Sequence, residues 1–155
     1  MSSDGGGQRG ERERAAGEAW DVLYRLVFER EGQQRLLEAC ELTGLAPGVL
    51  KTLLQLRPDH PTPMKDLSDR FRCDPSYVTS LVDGLEAAGL AERCSHPTDR
   101  RVKLVVLSSS GEQAQAQVRK VIGEPPSAFA ALSTDDLKRL RALLRKVAGA
   151  TDDTD

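Results

Sequence analysis

Hydrophobic residues recur at helical spacing along most of the chain, and strand-like patterning is confined to one short stretch. Ala19, Val22, Leu23, Leu26 and Val27 fall three and four apart, and Trp20, Tyr24 and Phe28 add an aromatic stripe to the same segment. A second helix is predicted over 33–42, stopped by Thr43 and Gly44. A third opens at Pro47 and carries Val49, Leu50, Leu53, Leu54 and Leu56. The prolines at 58, 61 and 63 impose a loop. Beyond it, Met64, Leu67, Ser68 and Phe71 mark a short amphipathic helix. After a tight connection at Arg72, Cys73 and Asp74, Pro75 begins another helix, capped by Asp74 and stopped at Gly89. Its buried face is Val78, Leu81, Val82 and Leu85.

The pattern then changes. Leu90–Cys94 and the β-branched run Val102–Leu107 read as two strands joined by the polar turn His96–Arg101. Ser108 or Ser109 is expected to cap a long helix through Val118, Val121 and Ile122, with Ser109 and Glu112 spaced as a capping box. Pro125 and Pro126 break it. Ser133 caps a last helix with Leu137, Leu140, Leu143, Leu144 and Val147 on one face. The fold class is therefore mainly α with a small β-hairpin. The expected organisation is a disordered arm over 1–12, supporting and dimerising helices over 13–57, and a winged helix-turn-helix over 58–111. Dimerisation helices over 112–149 and a disordered acidic tail over 150–155 complete it.

A short helix, a tight turn, a second helix and a hairpin, in that order, make a winged helix-turn-helix. With 78, 81, 82 and 85 turned inward, the second helix presents Ser76, Tyr77, Thr79, Ser80 and Asp83 outward. Hydroxyls near a helix N-terminus suit phosphates and base edges, where the helix dipole also favours the anionic backbone. Arg100 and Arg101 at the hairpin tip are placed to enter a narrow minor groove, with Asp99 expected to fix the direction of Arg101 through a charge-assisted hydrogen bond. Arg93 and Lys103 on the strands complete the candidate DNA-binding set.

Charge bears on this in two ways. The formal net charge of the 155 residues is −2, which gives little non-specific attraction to nucleic acid. Yet 93–103 holds four cations, Arg93, Arg100, Arg101 and Lys103, against the single acid Asp99. The acidity favours the alternative of a winged-helix module that docks a protein partner without specific DNA binding; the basic hairpin favours DNA.

The stretch from Met64 to Gly111 resembles the MarR family of bacterial regulators. The matching residues are Leu67-Ser68, the run Val78-Thr79-Ser80-Leu81-Val82-Asp83 with Leu85-Glu86, and Gly89-Leu90 with Arg93. They continue in Asp99-Arg100-Arg101 and in Leu107-Ser108 with Gly111; upstream, Thr43-Gly44-Leu45 and Val49-Leu50 fit as well. The resemblance implies a winged-helix homodimer whose first and last helices interlock and whose two halves bind a palindromic operator in double-stranded DNA, more often to repress than to activate. It implies major-groove contacts from residues 76, 77, 79 and 80, and an Asp99–Arg101 pair in the wing. It also implies release by a small aromatic or anionic effector between the dimer helices and the DNA-binding part, for which Trp20, Tyr24, Phe28 and Arg35 are candidates.

Apolar stripes at both ends of the chain, beyond what one winged-helix core can bury, independently call for a second copy. No cofactor or metal is expected. Cys40, Cys73 and Cys94 are scattered, and Cys94 and His96 lack zinc spacing. The cysteines read as small buried hydrophobes, Cys73 and Cys94 being the two whose oxidation would disturb DNA contact. An enzyme is not expected: Gly5-Gly6-Gly7 follows no strand, and neither His60 nor His96 has a nucleophile nearby in sequence. The polar start is unlike a secretory signal and no apolar run is long enough for a bilayer, so a cytoplasmic protein without membrane contact is expected.

Overall fold

The computed structural model describes residues 5–29 and 31–152. The chain forms two units, a larger one that runs to Glu124 and a smaller one from Pro125 onward.

The larger unit begins with α1 (Gly5–Phe28), α2 (Glu31–Thr43) and α3 (Pro47–Gln55). Strand β1 (Thr62–Pro63) leads into α4 (Met64–Phe71) and α5 (Pro75–Ala87). Strands β2 (Ala91–Ser95) and β3 (Lys103–Leu107) follow, then α6 (Ser109–Ile122). The core is one aliphatic cluster that includes Leu50, Leu53, Leu56, Leu67, Val78, Val82, Leu85, Val105 and Val118. Each fully buried leucine there contributes about 2 kcal/mol. Aromatic rings are absent from this cluster's buried members, as a chain with 4% aromatics requires.

Both helices of the central motif start and stop for local reasons. Pro75 occupies the first turn of α5, where its missing N–H costs nothing, and Asp74 accepts from the Ser76 N–H at 2.7 Å. At the far end Gly89 takes φ +69°, and the Leu90 N–H reaches back to the Leu85 carbonyl at 2.9 Å. This left-handed turn swings the chain directly from α5 into β2. Between α4 and α5 the tight turn is made by Arg72 in the left-handed region at φ 49°, with the Cys73 N–H bonded to Ser68 O at 3.2 Å.

The sheet is antiparallel in the order β1-β3-β2, with Arg93 opposite Val105 and Ser95 opposite Lys103. The expected hairpin is present and β3 is its central strand. The segment expected as a pure loop contributes an edge strand, because Thr62 and Pro63 pair with Val105 and Leu104. Proline is tolerated there because an edge strand leaves one side of its backbone unpaired.

Helix α6 is fixed by three side chains, Ser108, Gln115 and Arg119. Ser108, rather than the Ser109–Glu112 box, caps it: its Oγ accepts from the Gly111 N–H at 3.0 Å and donates to Gly89 O at 2.7 Å, which holds Ser108 just outside the helix. One turn later, the buried Gln115 amide donates to Leu53 O at 2.6 Å, which otherwise accepts only a long bond from Leu56 N–H, and to Leu56 O at 2.8 Å, so it ties down the end of α3. Arg119 adds a bond to Leu54 O at 2.9 Å. Among the described residues no buried side-chain nitrogen or oxygen lacks a partner.

The smaller unit holds a 3₁₀ turn, Ser127–Ala131, and α7 (Thr134–Asp152). Ser133 caps α7 as expected, accepting from the Asp136 N–H at 3.2 Å. Both expected disordered ends need correction. Helix α1 already includes Gly5 to Arg12, since extending an established helix fixes one residue per hydrogen bond and an Arg9–Glu13 pair at 3.2 Å supports the exposed turn. Residues 1–4 lie outside the described residues. Helix α7 runs through Asp152, so only 153–155 of the expected tail lie outside them.

Candidate nucleic-acid interface

Helix α5 turns Val78, Leu81, Val82 and Leu85 inward and leaves Ser76, Tyr77, Thr79, Ser80 and Asp83 exposed, as the spacing predicts. The hydroxyls of Thr79 and Ser80 donate to the carbonyls of Pro75 and Ser76, at 3.0 and 3.2 Å. Their hydroxyl hydrogens are thus committed within the helix, and the two exposed oxygens remain acceptors. Tyr77 is half exposed, and its hydroxyl lies beside Gly48 at the start of α3, about 3.0 Å from where a Cβ would stand. At the N-cap, the bond with the Ser76 side chain and then that with its backbone N–H hold the Asp74 carboxyl below the usual carboxylate range.

The hairpin tip is organised by Asp99, though not as the sequence suggested. Its carboxylate accepts from the backbone N–H of Arg101 at 3.0 Å, and its carbonyl accepts from Val102 N–H at 3.0 Å. The acid thus shapes the turn through the main chain, and the Arg101 guanidinium is left without an acidic partner among the described residues. Arg100 is likewise exposed and unpaired among them. Lys103 donates across the hairpin to Ser95 Oγ at 3.0 Å.

Arg93 is placed differently from the other cations. Its guanidinium contacts Asp83 at 2.7 Å, pairs closely with Glu86, and donates to Thr79 O at 2.9 Å. Its backbone N–H donates to Glu86 at 2.8 Å. Arg93 therefore clamps β2 onto α5.

Between α4, α5 and the hairpin lies an open groove of about 430 Å³. Lys65, Thr79, Arg93, Arg101 and Lys103 line it over an apolar floor of Pro63, Met64 and Val102. Lys65 was not among the residues predicted from sequence. A single lysine in a short helix carries no local signal, and only the packing of α4 beside the sheet brings it to this groove.

Other sequence candidates are dispersed. Trp20, Tyr24 and Phe28 stack along α1 with ring centres 6.4 and 5.1 Å apart, all largely exposed. Arg35 turns instead to Glu31 at 3.5 Å and to the carbonyl of Glu124. The three cysteines are free. Cys40 and Cys73 are half buried, and burial pushes the Cys40 thiol up; Cys94 is exposed, because it occupies the outer face of β2. Among the described residues no cluster of His, Cys, Asp and Glu could hold a metal, and no helix is long and apolar enough to cross a membrane.

The two-helix unit, its short wing and the groove between them define a winged helix-turn-helix protein. The model of the MarR family matches residues 46–103, which spans α3 to the start of β3. Its members are transcriptional regulators, not enzymes. The chain is 31% identical over 80 residues to the HTH-type transcriptional repressor MdtR of Bacillus subtilis, a match covering 52% of each protein. It thus spans about half the length of that curated relative. The fold is that of wild-type MarR in its apo form from E. coli, with a TM-score of 0.65 at 23% identity over 82% of this chain and 94% of that one. It is also that of MepR from S. aureus, solved as a MepR–DNA complex, with a TM-score of 0.63 at 20% identity over 84% and 98% of the two chains.

Proposed function

We propose that this protein is a sequence-specific DNA-binding regulator, acting as a repressor on a palindromic operator. The observation that carries the reading is the groove between α4, α5 and the wing. There, Lys65, Arg101 and Lys103 converge beside the hydroxyl face of α5, while Arg100 and Arg101 stand free at the tip. Ser76, Tyr77, Thr79 and Ser80 meet the major groove, Arg100 and Arg101 reach the minor groove, and Lys65 and Lys103 hold phosphates. Asp99 acts indirectly, by setting the turn that carries Arg101. That MepR is solved on DNA and MdtR is a repressor supports DNA binding and repression.

The regulator works as a homodimer. Trp20, Val22, Val27 and Phe28 on α1 are more than half exposed, as are Leu37 and Leu42 on α2 and Leu143 and Val147 on α7. Apolar faces of this extent call for a partner surface, and twofold symmetry suits two half-sites about 10 base pairs apart. Residues 13–57 and 112–149 supply this dimerising part, and 58–111 the DNA-binding part. A small aromatic or anionic effector that binds between the two parts releases the operator.

The rival reading, a module that docks a protein partner, rests on the net charge of −2. Fluorescence anisotropy with Arg101→Ala separates the two. For a DNA regulator the substitution weakens operator binding and flattens its salt dependence by about one unit. If it leaves DNA binding unaltered, the wing does not read DNA and the protein-docking reading stands.

A further inference from the structure

The outer stripe of α5 that carries Ser76, Thr79 and Ser80 continues into two carboxylates, Asp83 and Glu86, at helical spacing. Asp83 keeps 60% of its side chain exposed. The last turn of α5 carries no basic residue of its own, and the negative end of the helix dipole lies there as well. In a chain of net charge −2, this stripe would set three sources of negative potential beside a DNA backbone.

Arg93 comes from β2 to that spot. One guanidinium nitrogen sits between Asp83 and Glu86, and another bonds to Thr79 O. Its side chain is 24% exposed. A cation so committed has few donors left for a phosphate. We infer that Arg93 is a positioning and charge-compensating residue: it neutralises Asp83 and Glu86 at the C-terminal end of the recognition face, so that DNA can lie along α5, and it is not itself a phosphate ligand. This rests on the DNA-binding reading above.

The test is anisotropy on a bound duplex over a salt series, with wild type, Arg93→Gln and the triple variant Arg93→Gln/Asp83→Asn/Glu86→Gln. Arg93→Gln leaves two uncompensated carboxylates and is expected to weaken binding about tenfold near 0.1 M salt. The triple variant is expected to return to within about threefold of wild type with an unchanged salt slope, since no phosphate contact was lost. A triple variant as weak as Arg93→Gln, with a slope flatter by about one, would overturn the inference and make Arg93 a direct contact.

Arg93→Lys covers the case in which Arg93→Gln does not fold. It keeps the charge but loses the two-pronged geometry, so DNA affinity within about threefold of wild type is expected despite a lower Tm. An affinity loss as large as that of Arg101→Ala would contradict it. If wild type binds no duplex selectively, the functional reading fails first, and that outcome is distinct from failed rescue.

Discussion

The buried amide of Gln115 stands 2.6 Å from the carbonyl oxygen of Leu53, joining α6 to the end of α3. Through the same nitrogen it also holds Leu56 O. Replacing Gln115 by Leu removes this donor from Leu56 O and leaves Leu53 O with only the long bond from Leu56 N–H at 3.3 Å. We expect a loss of about 2 kcal/mol in urea unfolding. Loss of under about 0.5 kcal/mol would mean that the carbonyls find other donors.

Gly111 is required by space. A Cβ there would stand 1.9 Å from Leu90 O, which is main chain and is also bonded to Ser108 N–H. Gly111→Ala should therefore cost at least about 2 kcal/mol. Gly17, on exposed α1 with nothing within 4 Å of its would-be Cβ, is the matched control. There alanine should stabilise by about 0.5–1 kcal/mol through its helix propensity. Thermal melts of the two variants should move in opposite directions.

The lowered pKa of Asp74 makes the start of α5 sensitive to acid. A carboxylate depressed in the folded state adds stability that is fully present above its unfolded value and is lost as pH falls through the folded one. The effect of Asp74→Asn on stability should therefore be constant at neutral pH and shrink below about pH 4. A difference that does not change between pH 7 and pH 3 would show that the cap does not titrate.

The proposed dimer should depend on the apolar side of α7. Leu143 and Val147, 59% and 63% exposed, lie four residues apart on one face. Leu143→Glu/Val147→Glu should shift sedimentation from dimer to monomer and weaken operator binding more than it weakens folding. A double variant that stays dimeric would place the interface elsewhere.

The winged motif was legible because its signals are local. Pro75 after Asp74 and Gly89 after a run of inward apolar residues set the bounds of α5, while β-branched residues marked β3. What the sequence did not reveal was made by contacts between distant segments. Strand β1 is two residues long and exists only because Thr62 and Pro63 meet β3. Arg93 reads as one more wing cation until the fold brings it to Asp83 and Glu86, ten and seven residues away in the chain. Asp99 holds Arg101 by its backbone, a preference of short acids in turns that a charge-pairing argument passes over. At the two ends the glycines of α1 and the aspartates of α7 suggested disorder, whereas the helices continue through them to the limits of the described residues.

The most direct test of the central claim is selection of bound sequences by the purified full chain from a library of random duplex DNA. A dimeric regulator reading DNA with α5 and the wing should enrich one palindrome, its half-sites about 10 base pairs apart. Recovery of no preferred sequence at any salt concentration would contradict the account and turn attention to a protein partner for the groove.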